Sequence, residues 1–475
     1  MTSRRPPDGP RSPNPRRSRG TGASGARPGH RGLVAAGVVL LVAAGVLAWL
    51  ALTPGAPGSG GETGPVALPA SGDTGTAPGP GAEEPAAAPA GGPPAGDGGT
   101  EPTGRGGGRT GPGDPGPGGG TVALRVEEVA SGLQVPWDMA FDPQGRLFFT
   151  ERPGRINLLD GGRVIPLTTL PDTVAIGESG LLGIALHPGF PDPPYVYVYQ
   201  TYQARGRGAV VNRVLRFRFD PGTEAAAGGG TGPRLTDRRV IFDGIPASAI
   251  HDGGQLEFGP DGKLYLTTGD ARAAEQAQNP RSLHGKILRL NPDGTVPRDN
   301  PLGPDNPVYS YGHRNPEGLA FDPATGRLFA VEHGPDAWDE VNRIEPGANY
   351  GWPEAVAPDS HGGRFTPPLR SYDPIIAPAG AAFYRGPVRA WDGSLFFGTL
   401  GFQPDSPGRH LHRVRLDPSG TRVVEEEVLF KGQYGRIRAV QVGPDGCIYF
   451  GTSNRDGRGE PVPGDDRILR ACPVG

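Results

Sequence analysis

GGQLEFGPDGKLYLTTGD, residues 253–270, reads as two short strands around a tight turn. Apolar residues alternate on both sides of Gly-Pro-Asp-Gly, which is the side-chain period of a strand. Pro presets one φ and the following Gly accepts a positive one, so the chain reverses within a few residues. The same pattern returns as WDMAFDPQGRLFFTER (137–152), EGLAFDPATGRLFAVEHG (317–334) and RAVQVGPDGCIYFGTSN (438–454). Two looser copies are LLGIALHPGFPDPPYVYVYQTY (181–202) and GAAFYRGPVRAWDGSLFFGTLG (380–401). The turns recur at intervals of about 45–72 residues, room for one four-stranded sheet each. Six such sheets set radially bury both of their faces, so residues 121–475 are expected to form an all-β, six-bladed β-propeller. A β-sandwich is the competing architecture, but it does not call for a hairpin repeated at blade-like intervals.

Working outward, residues 53–120 are dominated by Gly, Pro, Ala, Thr and Ser. Such a segment buries too little apolar surface to offset its ordering entropy, and is expected to be a disordered linker. Before it, residues 33–52 (LVAAGVVLLVAAGVLAWLAL) carry no charge, and residues 1–32 carry eight Arg and one Asp. Twenty apolar residues make a helix of about 30 Å, a bilayer's hydrocarbon thickness. Flanking arginines stay in the cytoplasm. The expectation is a basic cytoplasmic tail (1–32), a transmembrane signal anchor (33–52), and a main domain outside the cell membrane. A cleavable signal peptide is the alternative, but its apolar region is shorter and ends at a small-x-small site.

The net charge of −3 is the balance of this basic tail and an acidic remainder, which argues against nucleic acid as a partner. The two cysteines, Cys447 and Cys472, flank a Gly/Pro/Asp-rich loop. In an antiparallel hairpin centred near residues 459–460 they face one another, and an extracytoplasmic location permits a disulfide; two unpaired buried thiols are the alternative. Two cysteines exclude a Cys-based zinc or iron–sulfur centre.

A propeller's loops converge on a central funnel, so polar residues bordering the repeated strands are the informative ones. His251 in IHDGGQL is placed for a general base, against the plainer reading of a loop cap. Arg314 and Asn315 in YGHRNPEGL hold the matching place in a later repeat, where an Arg fork suits carboxylate or quinone oxygens. EHGPDAWDEVNRIEPGANYGWPE (332–354) is rich in carboxylates and turn carbonyls, a composition that suits Ca²⁺ and also an ordinary solvated loop. Arg436 and Arg438 in YGRIRAV alternate on a strand and share a face, as for an anionic ligand.

In their order and spacing these stretches resemble the soluble PQQ-dependent glucose/sorbosone dehydrogenases, which include aldose sugar dehydrogenases. The resemblance covers residues 124–472 and is most specific in GESGLLGIALHPGF (177–190), HDGGQLEFGPDGKLYLTTGD (251–270), GHRNPEGLAFDP (312–323) and the EHGPDAWDEVN…NYGWPE stretch. It implies His251 as general base and Asp270 as its supporting carboxylate. It implies Glu178, Arg314, Asn315, Arg436 and Arg438 as contacts of pyrroloquinoline quinone (PQQ). Gly334 and Pro335 are implied as carbonyl ligands of a cofactor-associated Ca²⁺, and Glu340 and Tyr350 as members of a second, structural Ca²⁺ site. The implied reaction oxidises an aldose at its anomeric carbon to a lactone and passes electrons to an extracytoplasmic acceptor. Two positions depart from the family pattern. Gly401 stands where a Lys contacts the cofactor, with Arg409 and His410 nearby as candidate substitutes. Ile250 stands where glucose-oxidising relatives carry Asp. Two other readings compete: a cofactor-free cell-surface binding module, which would not need these arginines, and a Ca²⁺-dependent lactone hydrolase, which needs more inward carboxylates.

Overall fold

The computed structural model describes residues 122–474, apart from 205–207, 224–230, 358–360 and 403–406. The expected tail, membrane anchor and linker (1–32, 33–52, 53–120) lie outside the described residues. Within the described residues no helix is long and apolar enough to cross a membrane.

Six four-stranded antiparallel sheets make up the domain, in sequence order except at the closure. Each of the six hairpins read from the sequence is the first pair of strands of one blade. In the first blade these are Pro136–Phe141 and Leu147–Glu151. Gly145 takes φ 79° at the turn, and the Asp142 carboxylate accepts the N–H groups of Gln144 and Arg146. The third and fourth strands of each blade lack so regular a motif.

Alternation along the strands decides the packing. Phe148 belongs to a cluster with Leu181, Ile184 and Val198 of the second blade. Phe149, one residue on, packs with Ala439, Tyr449 and Ile468 of the last blade. The same division gives six apolar clusters, one between each pair of neighbouring blades. Around the axis the innermost strands approach closely. A Cβ on Gly183 would meet the Gly254 carbonyl at 2.3 Å, and one on Gly318 would meet the Ala379 carbonyl at 2.4 Å. Glycine there lets backbone pack where a side chain would stand.

The ring closes through the sixth blade. Its strands Ile437–Val442, Ile448–Thr452 and Ile468–Pro473 are completed by Leu124–Ala130 from the start of the domain, antiparallel to Ile468–Pro473. Ile448 pairs with Ala471, which sets Cys447 opposite Cys472, and the two form a disulfide.

Candidate active site

In an antiparallel hairpin, the residue entering the first strand and the residue leaving the second lie at the same end. This geometry gathers the predicted residues. Glu178, His251, Arg314 and Arg436 precede the innermost strands of four blades, whereas Asp270, Gly334 and Gly401 follow second strands. A cleft of about 330 Å³ at that end is lined by Glu178, His251, Arg314, Gly334, Pro335 and Arg436. Ile250 and Gly401 line it too, as do His333, Asp336, Asp339 and Arg458, which the sequence reading did not single out.

His251 is held from three sides. Its backbone sits at φ 65°, left-handed and strained for a side-chain-bearing residue. Its N–H donates to Glu178 Oε2 at 2.7 Å, and its carbonyl accepts from Ala271 at 3.1 Å. Its Nδ1 lies 2.8 Å from Asp270 Oδ1, which leaves Nε2 for the cleft. Asp270 is buried and also accepts from Arg272 N–H (2.8 Å) and Trp352 Nε1 (2.9 Å). Burial raises its pKa, but the bonds from His251, Arg272 and Trp352 outweigh burial and hold it below the usual Asp value. Asp270 is therefore an anion that fixes the ring with Nδ1–H toward it.

The arginines divide into distinct roles. Arg436 is buried. Its Nε donates to Asp456 at 2.8 Å and Nη1 to the carbonyls of Leu400 (3.0 Å) and Gly401 (2.6 Å). Arg438 does not line the cleft: it forms a buried ion pair with Glu317 at 2.6 Å, across the axis. Asn315 is fully buried, donates to Glu317 at 3.2 Å and accepts the Gly253 N–H at 3.0 Å. It therefore supports the loop behind His251 and does not face the cleft. Arg314 stacks over Trp352 at 5.4 Å, its Nη1 reaches the His333 carbonyl, and its buried Nε has no partner among the described residues. Burial lowers the pKa of both Arg314 and Arg436.

Neither suggested substitute for the missing Lys reaches the cleft. Arg409 lies 4.0 Å from Glu460, and His410 Nε2 is bonded to His412 at 2.9 Å. Glu340 and Tyr350 line a separate small cavity beside the first, together with Glu332, Trp338 and Trp352. The Tyr350 hydroxyl is already committed to the Arg343 carbonyl at 2.6 Å and the Glu345 N–H at 3.0 Å. Glu340 is pushed up to about 8 by burial and by Glu332. Among the described residues, the one tight group of three potential ligands is Asp445 with Cys447 and Cys472, and its two sulfurs are joined in the disulfide.

The sequence reading missed Arg458, Asp456, Glu317 and Trp352. Arg458 and Asp456 sit in an irregular Gly/Pro/Asp loop with no periodic signal. Glu317 and Trp352 lay within quoted motifs, but their partners are remote in sequence.

A propeller whose loop end joins a carboxylate-held histidine to several guanidinium groups offers a proton acceptor beside positive charge. Known proteins share this fold. Residues 133–469 match the glucose / sorbosone dehydrogenase family, and the chain belongs to that family of oxidoreductases. The PQQ-bound aldose sugar dehydrogenase of Streptomyces coelicolor is 38% identical, with TM-score 0.64, over 74% of this chain and 98% of that one. A Thermus thermophilus crystal structure described as a putative oxidoreductase (glucose dehydrogenase) is 46% identical, with TM-score 0.64, over 74% of this chain and 100% of that one. Quinoprotein glucose dehydrogenase B of Acinetobacter calcoaceticus is 28% identical, over 68% of this chain and 84% of its own.

Proposed function

We propose that this protein is a PQQ- and Ca²⁺-dependent aldose dehydrogenase that oxidises the anomeric carbon of a sugar to a lactone. The observation that carries the reading is the His251–Asp270 pair opening onto a cleft that also holds Arg314 and Arg436. The residues fit the cofactor's chemistry: PQQ is an anionic ortho-quinone, and Arg314 keeps a buried Nε–H without a partner among the described residues. Arg314 would hold PQQ, with Arg436 as the charged wall of its cleft and Asn315 and Glu178 setting the loops around it. Gly334 and Pro335 would hold its Ca²⁺, with Glu340 and Tyr350 assigned to the second ion. Bound PQQ supplies a two-electron acceptor that takes hydride from the sugar carbon.

The chain's own part is positional and electrostatic. His251 Nε2 removes the proton of the anomeric hydroxyl as hydride departs. Asp270 stabilises the imidazolium so formed and keeps the ring from rotating. Arg314 places positive charge where the acceptor oxygen becomes negative. Ile250, at the cleft wall, offers an apolar contact where glucose-oxidising relatives carry Asp, and this supports a broader aldose range.

The test is direct. Full-length protein is incubated with PQQ and Ca²⁺, desalted, and assayed for quinone absorbance and for dye reduction with a panel of aldoses. Retained quinone and turnover are expected, and His251→Ala should lose turnover while keeping the quinone. No retained quinone and no turnover would overturn the reading.

The location is part of the same proposal: export, with residues 33–52 as the anchor and an acceptor outside the membrane. The Cys447–Cys472 disulfide supports it, because such bonds persist in oxidising compartments. Protease treatment of intact cells should degrade the propeller domain, and full protection would refute an outside location.

A further inference from the structure

We propose that Arg458 is the guanidinium that engages a carboxylate of the quinone, taking the part that a Lys at the position of Gly401 would play. The inference rests on the PQQ reading above and adds a residue to it.

An arginine has five N–H groups in a planar fork. Arg436 commits three of them, to Asp456 and to the carbonyls of Leu400 and Gly401, and its side chain is 2% exposed. Arg438 is 5% exposed, is paired with Glu317, and does not line the cleft. The two arginines that the sequence marks as carboxylate holders are thus largely occupied in building the wall. Gly401 lines the cleft without a side chain, and its carbonyl is taken by Arg436.

Arg458 stands differently. It lines the same cleft, its side chain is 44% exposed, and its one side-chain bond among the described residues runs from Nη1 to Glu178 Oε1 at 2.7 Å. Most of its fork is therefore available to a ligand. Its position is also built. The Arg458 N–H donates to Asp456 Oδ1 at 2.9 Å, while Asp456 Oδ2 accepts from Arg436 Nε and from Ser453 at 2.9 Å. One aspartate thus ties the loop of Arg458 to the wall arginine. Burial works against the charged form of Arg458, but Glu178, with Glu317 and Asp456, outweighs burial and raises its pKa. Glu178 in turn holds the His251 backbone, so a ligand on Arg458 lies beside the base. A fork-to-carboxylate contact is directional and charge-assisted, so its loss should be visible in affinity.

The test measures binding, not turnover. The apo form of the full chain is dialysed to equilibrium against PQQ in a fixed excess of Ca²⁺ at several salt concentrations, for wild type, Arg458→Ala and Arg458→Lys. Arg458→Ala is expected to raise Kd by about 10-fold or more and to flatten its salt dependence. Arg458→Lys should fall between, since it keeps the charge and loses the fork. Melting of each apo variant checks the fold, and if Arg458→Ala unfolds, Arg458→Lys against wild type decides. Wild type that binds PQQ with variants of equal Kd and equal salt dependence overturns this inference alone. Wild type that does not bind PQQ overturns the cofactor reading, and the inference with it.

Discussion

Asp270→Asn tests the proposed chemistry at one atom. The carboxylate is surrounded by three N–H donors: His251 Nδ1 and Arg272 N on Oδ1, and Trp352 Nε1 on Oδ2. The last two cannot become acceptors. An amide with its oxygen at Oδ1 turns its NH₂ against Trp352. Flipped, it turns NH₂ against Arg272 and forces His251 into the tautomer that carries its proton on Nε2. That tautomer cannot act as the base. The variant also removes the negative charge that the imidazolium needs. Opposite charges about 4 Å apart at an effective dielectric near 20 interact by about 4 kcal/mol, or roughly 10³-fold in rate. The assay is kcat/KM on an aldose with PQQ-loaded protein, followed across pH. A fall of about 10³-fold is expected, with PQQ affinity little changed. A loss under about 10-fold would refute the role assigned to Asp270.

Three further predictions concern the frame. Burial and neighbouring Asp138 push Glu257, which lines a cavity of about 160 Å³ with Asp138 and Gln255, up to about 8. The native state then holds a proton that the unfolded chain releases near its ordinary value of 4.5, so stability should fall as pH rises between these values. Over that window Glu257→Gln should escape a loss on the order of 2 kcal/mol, discounted because Glu257 is only partly buried; parallel denaturation curves would contradict this. Glu317→Ala leaves Arg438 buried without its partner and should cost about 3–5 kcal/mol in chemical unfolding, whereas a cost under about 1 kcal/mol would show the pair to be dispensable. Replacing both cysteines by Ser releases a link between residues 25 apart and should cost about 3 kcal/mol, with reductant lowering the wild-type melting point comparably. An unchanged melting point would assign the disulfide no stabilising role.

The inner half of each blade was legible because local chemistry specifies it. Alternating apolar residues and a Pro/Asp/Gly turn define a hairpin whatever surrounds it, and Cys447 faces Cys472 by hairpin counting alone. The outer strands were less legible, since much of their pairing is sheet edge with mixed burial. In Val423–Leu429, for example, partly buried residues alternate with exposed ones. The closure by Leu124–Ala130 joins chain ends more than 300 residues apart, and no local pattern announces it.

At the site, residue types at strand borders marked His251, Arg314 and Arg436, and hairpin topology carries them to one end of the ring. What each does there depended on partners from other blades. Arg436 and Arg438 stand two residues apart, and alternation alone would give them one face and one role. Only the tertiary structure sets Glu317, 121 residues away, against one and leaves the other on the cleft wall. Arg458 had no signal at all, because irregular loops acquire their geometry from what they pack on. Local chemistry along the chain specified the six hairpins, the acidic domain behind a basic, apolar N-terminus, and the residue types of the site. The tertiary structure decided which guanidinium groups are spent as wall and which remain for a ligand, because hydrogen-bond donors are allotted by proximity in space and not along the chain.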